Sequence, residues 1–197
     1  MIWWPSEVPT ITNGQFTLRP LSEADIEAIF QSCQDPLIPL FTTIPGNYTR
    51  ELAEGFVRIK TPQLFEERKA IHWIFTVNKE VSPEAHKVNG ETFIGPFSIH
   101  AIEENNHVGE VGYWLNKDVR GHAFASIAMR MITEYAFETF GFRRLSAIVD
   151  HDNEASKKTL LNTGYAHEGL MKNRVTRIDG NQIDMDLFAA TPTSWNK

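Results

Sequence analysis

The chain has 197 residues, 42% of them hydrophobic and 22% charged, and a formal net charge of −6. That length suits one domain with a sizeable core, and the acidic balance argues against broad nucleic-acid binding while suiting a cationic substrate. No apolar run approaches the ~18–20 residues of a bilayer span, and a single cysteine, Cys33, excludes an intrachain disulfide, which fits a reducing cytoplasm.

Residues 1–14 read as an N-terminal extension of a single domain covering 1–197. MIWWPSEVP lacks the basic and apolar regions of a secretory signal, and Trp3 and Trp4 are expected to pack onto the body of the domain. QFTLRPL (15–21) predicts an opening strand. Ser22 then caps EADIEAIFQSC, with Asp25 as a capping-box partner; Cys33 in this pattern is expected to be a buried, inert thiol. Pro36, Pro39 and Pro45 predict an irregular stretch over 35–47. RELAEGFVRIK (50–60) predicts a second helix capped by Thr49. IHWIFTVN (71–78) alternates as a strand, KEVSPEAHKVNGE (79–91) reads as a polar loop, and TFIGPFSIHAI (92–102) and HVGEVGYWL (107–115) read as strands joined by EENN.

Residues 124–136 carry the strongest periodicity. Phe124, Ile127, Ala128, Met131, Ile132, Tyr135 and Ala136 predict one apolar stripe of a helix that ends at Gly141. RRLSAIVD (143–150) is a strand, and NEASKKTLLNTG (153–164) a short helix closed by Gly164. RVTRI, a turn at Asp179-Gly180, and NQIDMDLFAA predict a terminal hairpin. This order predicts an α+β domain: a mixed, mostly antiparallel central sheet with helices on both faces.

Between the strand VGYWL and the long helix lies DVRGHAFAS (118–126). A helix N-terminus leaves up to four backbone N–H groups unpaired and carries partial positive charge. No Ser, Thr, Asp or Asn immediately precedes Ala123 to cap them, whereas Arg120 and His122, both suited to an anion, stand there. Alone, the stretch fits equally an anion cradle or a water-capped turn.

The residues from GYWL (112–115) through R-G-x-x-x-A (120–125), N-x-x-S (153–156), L-x-x-x-G-Y (160–165) and E-G-x-x-K (168–172) resemble the acyl-CoA-binding half of a GNAT-superfamily acetyltransferase. FTLRPLSEAD and TTIPGNYTRELAEGF extend the resemblance over about residues 15–189, within the RimJ/RimL-like branch of ribosomal-protein N-terminal acetyltransferases. It implies acetyl-CoA as co-substrate, no metal, and a coenzyme-binding half over about 107–165. The pyrophosphate would lie on Arg120, Gly121, His122, Ala123, Phe124, Ala125 and Ser126. The family usually has glycine where this chain has Ala123, and a helical φ,ψ there would tolerate the methyl group. Tyr113, Trp114 and Leu115 would hold the pantetheine arm where their strand splays from RRLSAIVD. Asn153 would touch the arm, or merely cap its helix. Ser156 would protonate the departing thiolate, or cap likewise.

Direct acetyl transfer to an amine needs a proton acceptor rather than an enzyme nucleophile. Glu110, on the strand before the loop, matches an acidic position common in this branch, and desolvation on a central strand suits a carboxylate for base work; a Glu on a solvated face is the plain alternative. No carboxylate follows in NRVTR (173–177), where some relatives carry one. Asp184 and Asp186, on the last strand, could border the acceptor site, a solvated face being the plainer expectation, and His72, His100 and His107 are expected as structural or exposed. The function implied is N-acetylation of a primary amine, at a protein N-terminus or on a small molecule, in the cytoplasm, without nucleic-acid or membrane partners and with a homodimer possible. The competing class is a non-catalytic acyl-CoA-binding or protein-interaction module.

Overall fold

The computed structural model describes residues 2–177 and 180–195. Its strands are β1 (Ile11–Thr12), β2 (Phe16–Arg19), β3 (Ile71–Val77), β4 (Lys87–Val88), β5 (Glu91–Glu103), β6 (Val108–Tyr113), β7 (Arg144–Asp150), β8 (Ala166–Thr176) and β9 (Gln182–Ala190). Its α-helices are α1 (Ile26–Ser32), α2 (Leu37–Phe41), α3 (Arg50–Gly55), α4 (Thr61–Glu66), α5 (Phe124–Tyr135) and α6 (Glu154–Asn162). The sheet runs β1-β2-β3-β5-β6-β7-β9-β8, with β4 added to β5. Of the described pairs only β6 with β7 is parallel. The mixed, mostly antiparallel α+β architecture is thus the one expected.

Strand alternation divides the core in two. Trp73, Phe75, Phe97, Ile99, Val111, Leu145, Val149 and Phe188 project to one face, where Phe124, Ala128 and Ile132 of α5 and Leu160 of α6 meet them. Ile74 and Phe93 project to the other, under Ile26 and Ile29 of α1 and Ala53 and Val57 of the α3 segment. Ile2 is buried in the first cluster, Trp3 stacks on Phe140 and Trp4 packs against Phe65, so the N-terminal segment lies on the domain as predicted.

Several expected boundaries move. Residues 35–47 are not wholly irregular: Asp35 Oδ1 accepts from the N–H of Leu37 and α2 follows. The helix predicted over 50–60 continues to Glu66. Thr49 caps it through the N–H of Leu52, and Phe56–Lys60 widen into π turns ahead of Pro62, which has no N–H to close an α turn. Lys87–Val88 turn the polar loop back as a short strand on β5. The terminal hairpin begins at Ala166, well before RVTRI; Asp179 of its expected turn lies outside the described residues. On α5 the buried face is rotated from the predicted stripe: Ala125, Met129 and Thr133 are buried, while Ile127, Met131 and Tyr135 flank the core. Thr133 is satisfied there, its Oγ1 2.8 Å from the Tyr165 hydroxyl. Among the described residues no helix is long and apolar enough to cross a membrane.

Candidate active site

The parallel pairing of β6 with β7 ends at Glu110 opposite Ser146, yet β6 runs on to Tyr113 and β7 to Asp150. Beyond that point the strands part. Backbone N–H and C=O groups alternate in direction along a strand, and the Trp114 N–H donates to Pro96 O on the β5 side. Those of Val111 and Tyr113 therefore face the gap, where buried backbone groups require partners. The splay expected from the family resemblance is present in the fold.

At the head of the gap, Asn116 accepts from the Asp118 N–H, and Lys117–Val119 form a single 3-10 turn. The chain then passes Gly121 at φ +84 and Ala123 at φ +58, both left-handed, before α5 begins at Phe124. The helical φ expected at Ala123 is thus corrected: the chain must reverse twice within four residues, and the alanine stands in a conformation that favours glycine. No side chain caps α5, and its first backbone hydrogen bond runs from the Ile127 N–H to Ala123 O. The N–H groups from Gly121 to Ser126 find no acceptor among the described residues. A concentration of free donors at the positive end of a twelve-residue helix has the chemistry of an anion cradle.

The side chains of this loop do not point as the sequence suggests. The Arg120 guanidinium lies 2.6 Å from Asp35 Oδ2 and donates to Leu115 O at 2.9 Å. Asp35 is buried and needs that positive charge; Arg120 therefore ties the loop to the segment between α1 and α2 rather than reaching toward an anion. His122 folds back too, its Nδ1 3.0 Å from Arg120 O and its ring stacked on Phe124. The cradle is made of backbone.

Asn153 takes its plainer role, its Oδ1 accepting from the Ser156 N–H at 3.1 Å to cap α6. Ser156 gains a partner that the sequence did not suggest: its Oγ lies 2.9 Å from the Tyr113 hydroxyl, so the two hydroxyls meet at the edge of the gap. Tyr113 is stacked on Phe97, and burial pushes its phenol pKa up against the opposing effect of the Ser156 hydrogen bond.

Glu110 alternates onto the face of α1 and α3, opposite to Val111 and Tyr113, and its side chain is 24% exposed. Its cross-strand partner is His100, whose Nε2 lies 3.4 Å from Glu110 Oε1. His100 Nδ1 lies 3.2 Å from Ser98 Oγ, and His72 stands opposite Ser98 on β3. His72, Ser98, His100, Glu110 and Ser146 thus line one sheet face. Sequence reading set the two histidines aside as structural or exposed. His72 is half-buried, and desolvation, with lesser contributions from His100 and Lys60, lowers its pKa to about 4. His100 instead adjoins the candidate base. At the far end of this face, Asp150 pairs with Arg177 at 2.5 Å.

Asp186 corrects another expectation. It is buried rather than solvated, on the α6 face, and holds His151 Nδ1 at 2.9 Å and His167 Nε2 at 2.7 Å. Asp184 pairs with Lys172 and accepts from the Asn173 N–H. Cys33 is buried and its thiol pushed up to about 12 by that burial, which leaves it inert at neutral pH. Among the described residues no group of three or more His, Cys, Asp or Glu is arranged to hold a metal.

The chain is similar to known proteins in both sequence and fold. Residues 15–166 match the family model described as an acetyltransferase (GNAT) domain. The uncharacterized N-acetyltransferase YoaA of Bacillus subtilis (strain 168) is 23% identical over 181 residues, 92% of this chain and 96% of that protein. The ribosomal-protein-serine acetyltransferase of Escherichia coli (strain K12) is 28% identical over 99 residues, 50% of this chain and 55% of its own length. Among solved structures, Mycobacterium smegmatis RimJ in complex with CoA-disulfide superposes with a TM-score of 0.82 at 18% identity, covering 99% of this chain and 93% of that one. RimL, a ribosomal L7/L12 alpha-N-protein acetyltransferase in complex with coenzyme A, gives 0.78 at 21% identity, covering 93% and 98%. The chain belongs to the GNAT acetyltransferase family.

Proposed function

We propose, on the premise that the chain is a GNAT acetyltransferase, that it takes acetyl-CoA as co-substrate and passes the acetyl group directly to a primary amine. A protein N-terminus is the favoured acceptor, since one curated relative is a ribosomal-protein-serine acetyltransferase and one solved neighbour a ribosomal L7/L12 alpha-N-protein acetyltransferase; a small-molecule amine is the other class. The observation that carries this reading is the parting of β6 from β7 at Glu110 and Ser146, with free N–H groups at the head of the gap and paired hydroxyls at its edge.

In this reading each group has one task. The N–H groups of Gly121 through Ser126 hold the pyrophosphate, and α5 adds the field of its dipole. The backbone of Val111 and Tyr113 pairs with the pantetheine amides, aligning the thioester along the gap. Glu110 attracts the cationic amine and takes its proton, and the hydroxyl pair Ser156–Tyr113 supplies a proton as the thiolate leaves. Arg120 fixes the loop through Asp35. A cytoplasmic location and a homodimer complete the proposal, on the family resemblance alone.

Calorimetry with acetyl-CoA tests the first link: no heat at millimolar ligand overturns the reading. Thiol release is then followed across peptides with free N-termini and small polyamines. Coenzyme binding without turnover on any amine marks a binding module instead. Glu110→Gln acetylating at the wild-type rate at every pH removes Glu110 as the base.

A further inference from the structure

We propose that His100 shares the proton that Glu110 takes from the acceptor amine, so that the proton acceptor is a Glu–His pair. The inference rests on Glu110 being the base. His100 touches neither the amine nor the coenzyme; it acts through Glu110, from which it receives the proton.

Hydrogen-bond accounting leads to the pair. The Ser98 hydroxyl has one proton and two acceptors in reach, Gly112 O at 3.3 Å and His100 Nδ1 at 3.2 Å. In the proposed arrangement that proton goes to Gly112 O, so that a proton on Nδ1 closes the contact with Ser98 Oγ. A neutral imidazole protonated at Nδ1 has only a lone pair at Nε2, and that nitrogen faces Glu110 Oε1 at 3.4 Å. A lone pair and a carboxylate are both acceptors, so in this tautomer the contact is complete only with a proton between them.

Packing holds this orientation. A Cβ on Gly112 would lie 2.9 Å from His100 Cε1 and 3.4 Å from Nδ1, so the absent side chain gives the ring its place over β6. The charged or titratable groups that face His100 are Glu110 from β6 and His72 from β3, with Lys60 at the end of the π stretch acting on His72. His72, held neutral by burial, does not compete for the proton above about pH 5. The His100 side chain is 39% exposed, which gives the proton a way out to water.

The steps balance. As the amine attacks, one N–H bond breaks, its electron pair stays on nitrogen and the proton goes to Glu110 Oε1. The proton moves on to His100 Nε2, leaving a carboxylate beside an imidazolium, and water takes it from the exposed ring. The C–N bond forms at the thioester carbonyl and the C–S bond breaks; the departing thiolate receives its proton from the Ser156–Tyr113 hydroxyls, which regain one from water, so both pairs end each cycle as they began.

Two measurements test the inference. Histidine side-chain 15N spectra of the coenzyme-free protein report the tautomer, whatever the acceptor. The expected result is a neutral His100 protonated at Nδ1; a proton on Nε2 would make His100 a mere donor to Glu110 and overturns the proposal. The second is the pH profile of kcat on an N-terminal peptide substrate for His100→Gln, which keeps an amide donor but cannot hold a proton. The expected loss is about 10-fold in kcat, with an altered pH profile and unchanged KM for acetyl-CoA. Wild-type kcat and profile refute it. Should that variant not fold, Gly112→Ala, which displaces the ring, is expected to lower kcat in the same way, and a wild-type profile there also refutes the proposal. Glu110→Gln separates the two readings: its activity at wild-type level refutes the base itself, whereas its loss beside an unaffected His100→Gln refutes only the pair.

Discussion

Ala123→Gly examines the loop at its most strained point. Ala123 sits at φ +58, ψ 14, immediately before α5. An L-residue held there costs roughly 1–2 kcal/mol, of which glycine's extra freedom in the unfolded chain returns about 0.5–1 kcal/mol. The variant should therefore be more stable by about 0.5–1 kcal/mol, a rise of about 1–3 °C in Tm for a chain of this size. Removing the methyl group also relaxes the approach of a phosphate oxygen to the N–H groups, so the Kd for acetyl-CoA should fall about 3- to 10-fold. Gly121→Ala is the converse. Gly121 lies at φ +84 and a Cβ there would meet nothing within 4 Å, so its cost is backbone conformation alone. That substitution should destabilise by about 1 kcal/mol and weaken the coenzyme. Thermal melts and calorimetry on both variants give the answer. If the two move Tm in the same direction, or if Ala123→Gly weakens acetyl-CoA, the conformational argument at 123 is wrong.

Arg120→Ala should lower stability by about 1–3 kcal/mol, because it strands the buried Asp35 carboxylate. It should raise the Kd for acetyl-CoA only a few-fold, whereas a loss above about 100-fold would mean that Arg120 leaves Asp35 to hold phosphate. Ser156→Ala should reduce kcat about 10- to 100-fold at unchanged KM for acetyl-CoA, with Tyr113→Phe reducing it less; the reverse order would make Tyr113 the proton donor. Asp186→Asn should cost about 1–2 kcal/mol at neutral pH in urea unfolding, since both imidazole partners are half exposed. Burial raises the Asp186 pKa, but hydrogen bonds from His151 and His167 outweigh it and leave the carboxyl below its ordinary value. A depressed folded-state pKa contributes stability above the unfolded value, about 3.9, that is lost as pH falls through the folded value. The gap between wild type and variant should thus close in acid; a gap that stays constant below pH 3 contradicts the assignment.

Local chemistry made much of the fold readable from the chain. β3 announced itself by period-two alternation, β5 and β6 as strands joined by the turn EENN, and α5 by its apolar spacing and the Gly141 stop. The uncapped start of α5 was readable for the same reason, since capping depends on neighbouring residues. What escaped notice depends on residues that sequence keeps apart. Asp35 and Arg120 meet only because α1 and the loop before α5 converge on one face. Asp186 is buried only because His151 after β7 and His167 on β8 close over it. Nor does an alanine announce a positive φ; the double reversal at Gly121 and Ala123 is imposed by where β6 ends and α5 must lie.

The Glu110–His100 contact shows why even a correct pair of strands leaves a site half-read. The β5–β6 hairpin closes with Glu103 opposite Val108, and that register carried inward would set Ala101, not His100, against Glu110. One extra residue on β5 between His100 and Glu103 shifts the pairing, with Ala101 exposed at φ +47. A slip of one residue exchanges the faces of a strand. Without the bulge, His100 would therefore point into the apolar cluster beneath α5, and Ile99 would point toward the acceptor face. Bulges with a left-handed residue usually carry glycine, and alanine at 101 hides this one. The candidate base and its partner were each visible in the sequence. Their meeting is decided by a single strained alanine outside the site.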